Sequence, residues 1–312
     1  MGSFFYCSLK NILMDKDKNK MGGKMKIVYM ITDECNTRCL HCYKKKGKSI
    51  KRSVSECKKD IKNLLKKEHQ VITAGAEILC NPKILQVYQL VKQNYLLSNG
   101  IILANNPEIF EQLILYGINK VEISWHIGFQ SVLNQIPEHV IRKAILNAQK
   151  KGLLVQINCV ISNKNYTLIK NICQKSLSIG VRHLKLFQLL PTRREMLKFQ
   201  LTETQKASVI KQAQESRQVH DRETLYLQLH PNFNSQITKK SIKAKKNGLF
   251  CLAGKDFAVV ETDNRVYPCP FLSQDQFCIG TFHEGQLIIN KKIKHDGKDC
   301  LAEKLLIKQK EA

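Results

Sequence analysis

Near the start of the chain, three cysteines lie within a nine-residue stretch that follows a short apolar run. The stretch runs from Cys35 to Tyr43 and reads Cys-Asn-Thr-Arg-Cys-Leu-His-Cys-Tyr, which gives the spacing C-x3-C-x2-C. Thiolates are soft ligands that suit iron–sulfur clusters and zinc. Three thiolates leave one iron of a four-iron cluster open, and an open position is typical of catalytic metal sites. The spacing therefore predicts a catalytic metal centre with Cys35, Cys39 and Cys42 as ligands.

This spacing, with an aromatic residue after the last cysteine, resembles the signature of the radical S-adenosylmethionine (SAM) enzymes. In that family the open iron chelates the amino and carboxylate groups of SAM, and the reduced cluster cleaves SAM to a 5′-deoxyadenosyl radical that abstracts a substrate hydrogen. The resemblance implies a [4Fe-4S] cluster with SAM, and a flavodoxin- or ferredoxin-type reductase as electron donor. The alternative is a zinc knuckle with His41 or a distant residue as fourth ligand, although no second pair of ligands stands at zinc-finger spacing.

Short apolar runs alternate with longer amphipathic segments from residue 26 to about residue 190, and these elements must position the cysteine loop. Six successive βα units favour a parallel sheet with right-handed crossovers and outer helices, but six are too few for a closed eight-stranded barrel. We expect an α/β fold with a partial (β/α)6 barrel, open and TIM-like, which is also what the resemblance implies. The cysteine loop follows the first strand, at the C-terminal rim where such barrels place their chemistry.

Strand alternation predicts which side chains face the interior of this barrel. The outer face of each strand packs against apolar helices, so the polar positions of the fourth, fifth and sixth strands should point inward. These positions are Glu122, Ser124, Gln156, Asn158 and Lys185. An interior of this kind is a binding cavity; the alternative is a set of polar side chains that seal one another.

The resemblance and the strand positions together assign residues to a SAM pocket. Gly75, Ala76 and Glu77 stand where the family carries a Gly-Gly-Glu motif that holds the SAM amino group, and the Ala would matter if that position needed a positive φ angle. Ser98 and Asn99 belong to a turn that resembles the family's Thr-Asn-Gly. The remaining candidates are Tyr43 for the adenine, Ser124 and Asn158 for the ribose and the methionyl carboxylate, and Arg193 for the carboxylate.

A second group of cysteines lies near the end of the chain, at Cys251, Cys269, Cys278 and Cys300. A hairpin turn at Asp263-Asn264 is expected to bring Cys251 and Cys269 together. The sequence Asp-Asn-Arg-Val-Tyr-Pro-Cys resembles the SPASM or twitch module of radical SAM enzymes, with Asn264 in place of Gly and without the later dense run of cysteines. The resemblance implies one auxiliary [4Fe-4S] cluster bound by Cys251, Cys269 and two later cysteines, with Cys278 and Cys300 as candidates. A zinc site with the same cysteines is the alternative.

These elements divide the chain into four regions. We expect a disordered N-terminal extension at residues 1–24, the partial barrel at 25–195, a connecting helix, strand and basic linker at 196–248, and a small C-terminal β-hairpin/α auxiliary-cluster domain at 249–312.

The chain is strongly basic, with a formal net charge of +25 at pH 7. A basic surface attracts anions. The alternative explanation of the charge is the lysine-rich codon usage of an AT-rich genome. One basic block, from Lys44 to Arg52, directly follows the cysteine loop and is expected at the rim of the site. No apolar run approaches the roughly 20 residues that span a bilayer, and no signal peptide is recognisable. We therefore expect a cytoplasmic protein without a membrane partner, in which cysteines serve metal binding or catalysis rather than disulfides.

The predicted function is radical SAM modification of a ribosomally synthesised peptide, because SPASM and twitch enzymes often act on such peptides and a basic rim suits an acidic leader. The outcome is epimerisation, a crosslink or an oxidation, and an epimerase needs a hydrogen-donor thiol, for which Cys278, Cys300 and Cys80 are candidates. The alternative is a dehydrogenase or rearrangement enzyme acting on a small molecule such as a carbohydrate or nucleotide derivative. Nucleic acid is not expected as a partner, since no RNA-binding module is recognisable.

Overall fold

A computed structural model describes residues 24–44, 50–220, 224–230, 233, 251–291, 293, 295, 297 and 299–308. The predicted N-terminal extension, except for Lys24, and the basic linker at 239–246 lie outside these residues.

The strands are β1 Lys26–Met30, β2 Gln70–Ala74, β3 Tyr95–Ser98, β4 Lys120–Ser124, β5 Leu154–Ile161, β6 His183–Gln188, β7 Tyr226–Leu229, β8 Phe257–Val260, β9 Arg265–Tyr267, β10 Gly280–His283 and β11 Gln286–Ile289. The α-helices are α1 Val54–Lys66, α2 Tyr88–Val91, α3 Ile101–Asn105, α4 Ile109–Leu115, α5 Gln130–Leu133, α6 Glu138–Lys150, α7 Ile169–Ser178, α8 Glu203–Val219 and α9 Leu301–Lys308. Short 3-10 helices occur at Ile78–Cys80, Pro82–Val87, Arg194–Phe199, Pro270–Leu272 and Asp275–Phe277.

The strands form two hydrogen-bonded sheets. One runs β3-β4-β5-β6-β7 and is parallel throughout, and the other runs β11-β10-β9-β8-β1-β2. Apolar residues on the outer strand faces, such as Ile123, Ile157 and Leu184, are buried against the helices. The helices bury apolar faces in return. Helix α1, for example, begins with a capping box of Ser53 and Glu56 and buries its apolar stripe. The prediction of an open, partial α/β barrel is confirmed.

The C-terminal region joins the barrel through a parallel strand pair that the sequence analysis does not anticipate. β8 pairs with β1 in register from Lys26 opposite Phe257 to Tyr29 opposite Val260. From β8 the chain continues as an antiparallel meander through β9, β10 and β11. The predicted hairpin turn is present, and Asn264 takes the left-handed conformation at φ 64°. The region around the second cysteine group is therefore continuous with the strand that precedes the first.

The predicted interior side chains of β4 and β5 come together. Lys120 Nζ lies 2.8 Å from Glu122 Oε1 and 2.7 Å from Gln156 Oε1. Gln156 donates to Asn158 at 2.8 Å, and Asn158 donates to the other oxygen of Glu122 at 3.1 Å. Inward-facing polar residues thus hydrogen-bond one another along the polar wall of the barrel. None of the helices in the described part of the chain combines the length and the apolar composition needed to cross a membrane.

Candidate active site

The cysteine loop follows β1, and the segment after β2 hydrogen-bonds to the residues that connect β1 to the loop. The Ala76 amide donates to the Thr32 carbonyl and the Glu77 amide to the Glu34 carbonyl, each at 2.9 Å. A Cβ at Gly75 would lie 2.8 Å from Thr32 Cγ2, so this close approach requires glycine. Ala76 is not among the positive-φ residues, so the Ala in place of the family's Gly carries no backbone strain.

The three loop thiols differ in exposure: Cys35 is exposed, whereas Cys39 and Cys42 are half-buried. The Thr37 hydroxyl lies between two of them, 3.2 Å from Cys35 Sγ and 3.4 Å from Cys39 Sγ. Burial raises the pKa of Cys39 to about 11 and also raises the pKa of Cys42. These thiols ionise at neutral pH only with a cationic partner, and a metal centre supplies one.

Arg193 contacts the backbone of the cysteine loop. Its Nη2 donates to the carbonyl of Cys42 at 2.7 Å and lies 3.5 Å from the carbonyl of Cys39. The guanidinium lowers the pKa of Cys42, against the larger effect of burial. The structure thus places Arg193 beside the two half-buried thiols, as a cationic support of the loop.

Glu77, Ser98 and Asn99, all predicted from the sequence, form one hydrogen-bonded group that reaches the loop. The buried Glu77 carboxylate accepts from the Asn99 amide at 2.7 Å and from the Ser98 hydroxyl at 3.2 Å. The Asn99 side chain then donates to Asn36 Oδ1 at 2.7 Å. Burial raises the pKa of Glu77 to about 7, although these hydrogen bonds lower it. The carboxylate therefore fixes the turn after β3 against the loop.

Two histidines that the sequence analysis did not assign to the pocket lie at the same loop. The rings of His41 and His126 meet edge to face, with centroids 4.6 Å apart. Burial lowers the pKa of His41 to about 4 and holds the pKa of His126 well below its usual range, so both rings are neutral. His126 lies two residues after Ser124, just beyond the end of β4, and the period-two alternation of this segment is the signal that groups it with Glu122 and Ser124. Ser124 itself pairs with Asn158 in register.

Tyr43 contacts the C-terminal region. Its ring packs edge to face on Phe271, with centroids 5.7 Å apart. Tyr43 was predicted to lie against the adenine of SAM, and that role stays a prediction.

Two cations of the basic block, Lys44 and Arg52, form ion pairs and hydrogen bonds within the protein. Lys44 Nζ lies 2.6 Å from Asp33 Oδ1 and also pairs with Glu261. Arg52, whose side chain is 2% exposed, donates to the Glu261 carbonyl and to Asn264 Oδ1, each at 2.7 Å. Glu261 and Asn264 lie more than 200 residues away in sequence, so the block itself gave no sign of these two partners.

Three of the four C-terminal cysteines gather in one apolar cluster. Cys251, Cys269 and Cys300 pack with leucines from the segment after β6, the 3-10 helix after Cys269, and α9. Burial raises the pKa of Cys300 to about 12 and raises that of Cys269 further, and the neighbouring thiols add to both shifts. Cys278 lies in a different cluster, near Tyr267, where its thiol donates to the Gly280 carbonyl at 3.2 Å.

Cys80 lies beside the first cysteine group. Its thiol accepts a hydrogen bond from the Asn36 amide, and the charges of Glu77, Cys35 and Glu34 act on it. Burial raises its pKa to about 11. Of the three candidate hydrogen-donor thiols, Cys80 is therefore the one at the cysteine loop. In the described residues, no three His, Cys, Asp or Glu side chains are grouped closely enough to hold a single metal ion.

Comparisons with known proteins agree with this fold. An uncharacterized protein of Methanocaldococcus jannaschii is 21% identical over 92% of this chain and 98% of its own length. The structure of anSMEcpe with bound AdoMet covers 82% of this chain and 78% of its own, at 15% identity and a TM-score of 0.65. SuiB of Streptococcus suis, bound to precursor peptide SuiA, covers 82% of this chain and 62% of its own, at 12% identity and a TM-score of 0.67.

A family model matches as well. Residues 29–166, which run from β1 through β5 and include the cysteine loop, match the model of the radical SAM superfamily. This part of the chain is therefore a radical SAM domain, and the family predicted from the cysteine motif is confirmed.

Proposed function

We propose that this protein is a radical SAM enzyme that modifies a ribosomally synthesised peptide by epimerisation, crosslinking or oxidation. The observation that carries the proposal is the cysteine loop at the rim of an open barrel, supported by Arg193 on one side and by Glu77 and Asn99 on the other. A peptide substrate is supported by the similarity in fold to SuiB, which binds a precursor peptide.

The residues present suit a [4Fe-4S] cluster and SAM. Cys35, Cys39 and Cys42 would hold the cluster, and the three thiols leave a fourth position for SAM. Two buried polar atoms around the loop have no hydrogen-bond partner in the described structure: His41 Nδ1 and His126 Nε2. Buried polar atoms are normally paired, so these atoms suit a polar ligand. When bound, the two cofactors supply a 5′-deoxyadenosyl radical by one-electron cleavage of SAM.

The protein's own residues bind and orient these groups and keep water away. Glu77 holds the Asn99 turn, and Gly75 and Ala76 offer backbone groups next to the loop. Ser124 and Asn158 face the interior at the ends of β4 and along β5. The neutral rings of His41 and His126 pack on each other at the loop, and Tyr43 packs on Phe271; this packing would limit side reactions of a radical with solvent.

A second [4Fe-4S] cluster is proposed at the C-terminal thiols, with Cys251, Cys269 and Cys300 as ligands. They are neighbours in one cluster, and the raised pKa values of Cys269 and Cys300 call for a metal if these two thiols are to ionise. A flavodoxin- or ferredoxin-type reductase would supply the electron. If the reaction is an epimerisation, Cys80 is the preferred hydrogen donor because it lies at the loop.

The test is 5′-deoxyadenosine formation by anaerobically reconstituted protein with SAM and dithionite. Single substitutions Cys35→Ala, Cys39→Ala and Cys42→Ala should each abolish it, because each removes a ligand of the cluster. Cys173→Ala is the matched control, since Cys173 is a buried thiol of α7 away from both groups. Activity retained in any of the three loop variants would refute the proposal.

A further inference from the structure

The interior face of β6 carries a lysine that the proposed mechanism does not use. Lys185 pairs in register with Asn158 of β5 and with Gln228 of β7. Asn158 in turn pairs with Ser124 of β4. Lys185 therefore stands in the same cross-strand row as Ser124 and two strands away from it, which is about 10 Å at the usual strand spacing. A group bound at Lys185 lies beside the pocket proposed for SAM.

The charges around Lys185 do not balance. Lys120 is paired with Glu122, Nζ to Oε1 at 2.8 Å. Lys185 and Lys26 of β1 have no carboxylate within ion-pair distance in the described structure. Burial lowers the pKa of Lys185, Glu122 raises it, and the ammonium groups of Lys120 and Lys26 lower it further. His183, the other titratable group on this face of β6, is also affected by Lys120 and Glu122. Three ammonium groups thus face one carboxylate across the barrel interior, which favours an anionic ligand.

Aromatic and apolar side chains accompany Lys185. Its Nζ lies 5.0 Å from the ring centre of Phe187, and that ring stacks on His230 with centroids 4.7 Å apart. On the face of β1 that carries Lys26, Val28 and Met30 pack with Val259 and Tyr267 in an apolar cluster. Ligand pockets usually combine apolar walls with a few polar groups that fix orientation.

We propose that Lys185 recognises the substrate by binding the carboxylate of an aspartate or glutamate side chain in the peptide. This inference rests on the proposed function and specifies the substrate class of the same site. In its cross-strand row, Lys185 stands between the amide residues Asn158 and Gln228, and one ammonium in such a row suits a monoanionic carboxylate. A phosphate is more often bound by guanidinium forks or by the N-terminus of a helix, and in the described structure neither contacts Lys185.

The test measures binding, so it does not depend on radical chemistry. Anaerobic isothermal titration calorimetry of the reconstituted protein with SAM, without reductant, would compare acetyl-Gly-Glu-Gly-amide with acetyl-Gly-Gln-Gly-amide at millimolar concentrations. Inorganic phosphate is the third probe. We expect the glutamate peptide to bind at least about tenfold more tightly than the glutamine peptide, because a partly buried ionic hydrogen bond is worth that much.

Substitutions test whether Lys185 causes the preference for the glutamate peptide over the glutamine peptide. Lys185→Met should reduce the ratio of the two affinities to about one, whereas Lys185→Arg should keep most of it. Lys143→Met is the matched control: it removes the same charge from an exposed position of α6 and should leave the ratio unchanged. Circular dichroism melting establishes that Lys185→Met is folded.

Three results would overturn the inference: no binding of the glutamate peptide, equal binding of both peptides, or a preference that persists in Lys185→Met. Phosphate that binds as tightly as the glutamate peptide would overturn the assignment to a carboxylate. None of these results bears on 5′-deoxyadenosine formation, so failure here is distinct from failure of the proposed function.

Discussion

The two cysteine groups differ in how the chain brings them together. Cys35, Cys39 and Cys42 belong to one short loop, which polar contacts from three other segments hold at its backbone and side chains. Cys251, Cys269 and Cys300 come from separate segments and meet among leucine side chains. A loop held by polar contacts leaves room for a ligand at an open position, whereas an apolar setting encloses its contents. The first arrangement is suited to catalysis and the second to a closed redox centre.

Iron content gives the sharpest test of this contrast. With both clusters present, reconstituted protein should bind about eight irons per chain. Cys269→Ala or Cys300→Ala should remove about half of the iron, because the enclosed cluster loses a ligand. Cys278→Ala should keep all of it, since Cys278 packs in another cluster. Loss of iron in Cys278→Ala, or none in Cys269→Ala, would contradict the grouping of the thiols. The measurement is a colorimetric iron assay per folded chain.

A smaller effect is expected from Arg193→Met, which removes the cation under the first loop. Groups that hold metal ligands in place typically contribute 10- to 100-fold to metal affinity or activity, so 5′-deoxyadenosine formation should fall by about that factor. Arg194→Met is the control, because Arg194 is exposed and its side chain adjoins neither loop carbonyl. An equal loss in both variants would indicate a general effect of charge, and the polar support of the loop would then be unimportant.

The connection between the two regions can be weakened at Glu261. Its carboxylate pairs with Lys44 and accepts from Ser273 at 2.7 Å, and its side chain is only 7% exposed. Glu261→Gln leaves the Lys44 ammonium with less compensation, so we expect a loss of roughly 3 kcal/mol in the free energy of unfolding. Urea denaturation measures it, and Glu108→Gln at an exposed position is the control. In a double-mutant cycle with Lys44→Met, additive losses would show that the two groups do not interact.

The smallest expected effect is a pH dependence from Glu77, which belongs to the first region alone. Burial raises its pKa to about 7 in the folded protein, above the value of about 4.5 for a free side chain. The folded state therefore binds the proton more tightly than the unfolded state. The stabilisation that comes from this proton is complete at a pH below about 4.5, the pKa of the free side chain. It is lost as the pH rises through about 7, the pKa of Glu77 in the folded protein. The difference in melting temperature between wild type and Glu77→Gln should decrease over this interval and then level off. A difference that grows with pH would mean that the hydrogen bonds outweigh burial.

Much of the barrel could be predicted from the sequence, because its signals are local. The alternation of strands and helices, the loop after β1 and the left-handed Asn264 each depend on neighbouring residues. The inward polar set of β4 and β5 follows from period-two alternation, and Glu122, Gln156 and Asn158 of this set are joined by hydrogen bonds.

What could not be predicted depends on contacts between distant segments. Lys44 stands in a run of lysines that is typical of a solvated surface, and only the fold brings Glu261 to it. The pairing of β8 with β1 has no local signature either, since either strand is apolar enough to pair with several others. β10 and β11 were missed although Glu284-Gly285 between them takes left-handed conformations suited to a tight turn.

The pairing of β1 with β8 has a consequence for biosynthesis. On the ribosome, β1 and the cysteine loop emerge first, but β1 keeps an open edge until residues 257–260 have followed. Lys44 and Arg52 likewise lack their partners Glu261 and Asn264 until that part of the chain has been synthesised. A contact of such sequence separation forms late, so the newly made loop is incomplete for most of translation. Delivery of iron and sulfide to Cys35, Cys39 and Cys42 is therefore expected after release of the finished chain, and a chain that ends before β8 should be a poor acceptor.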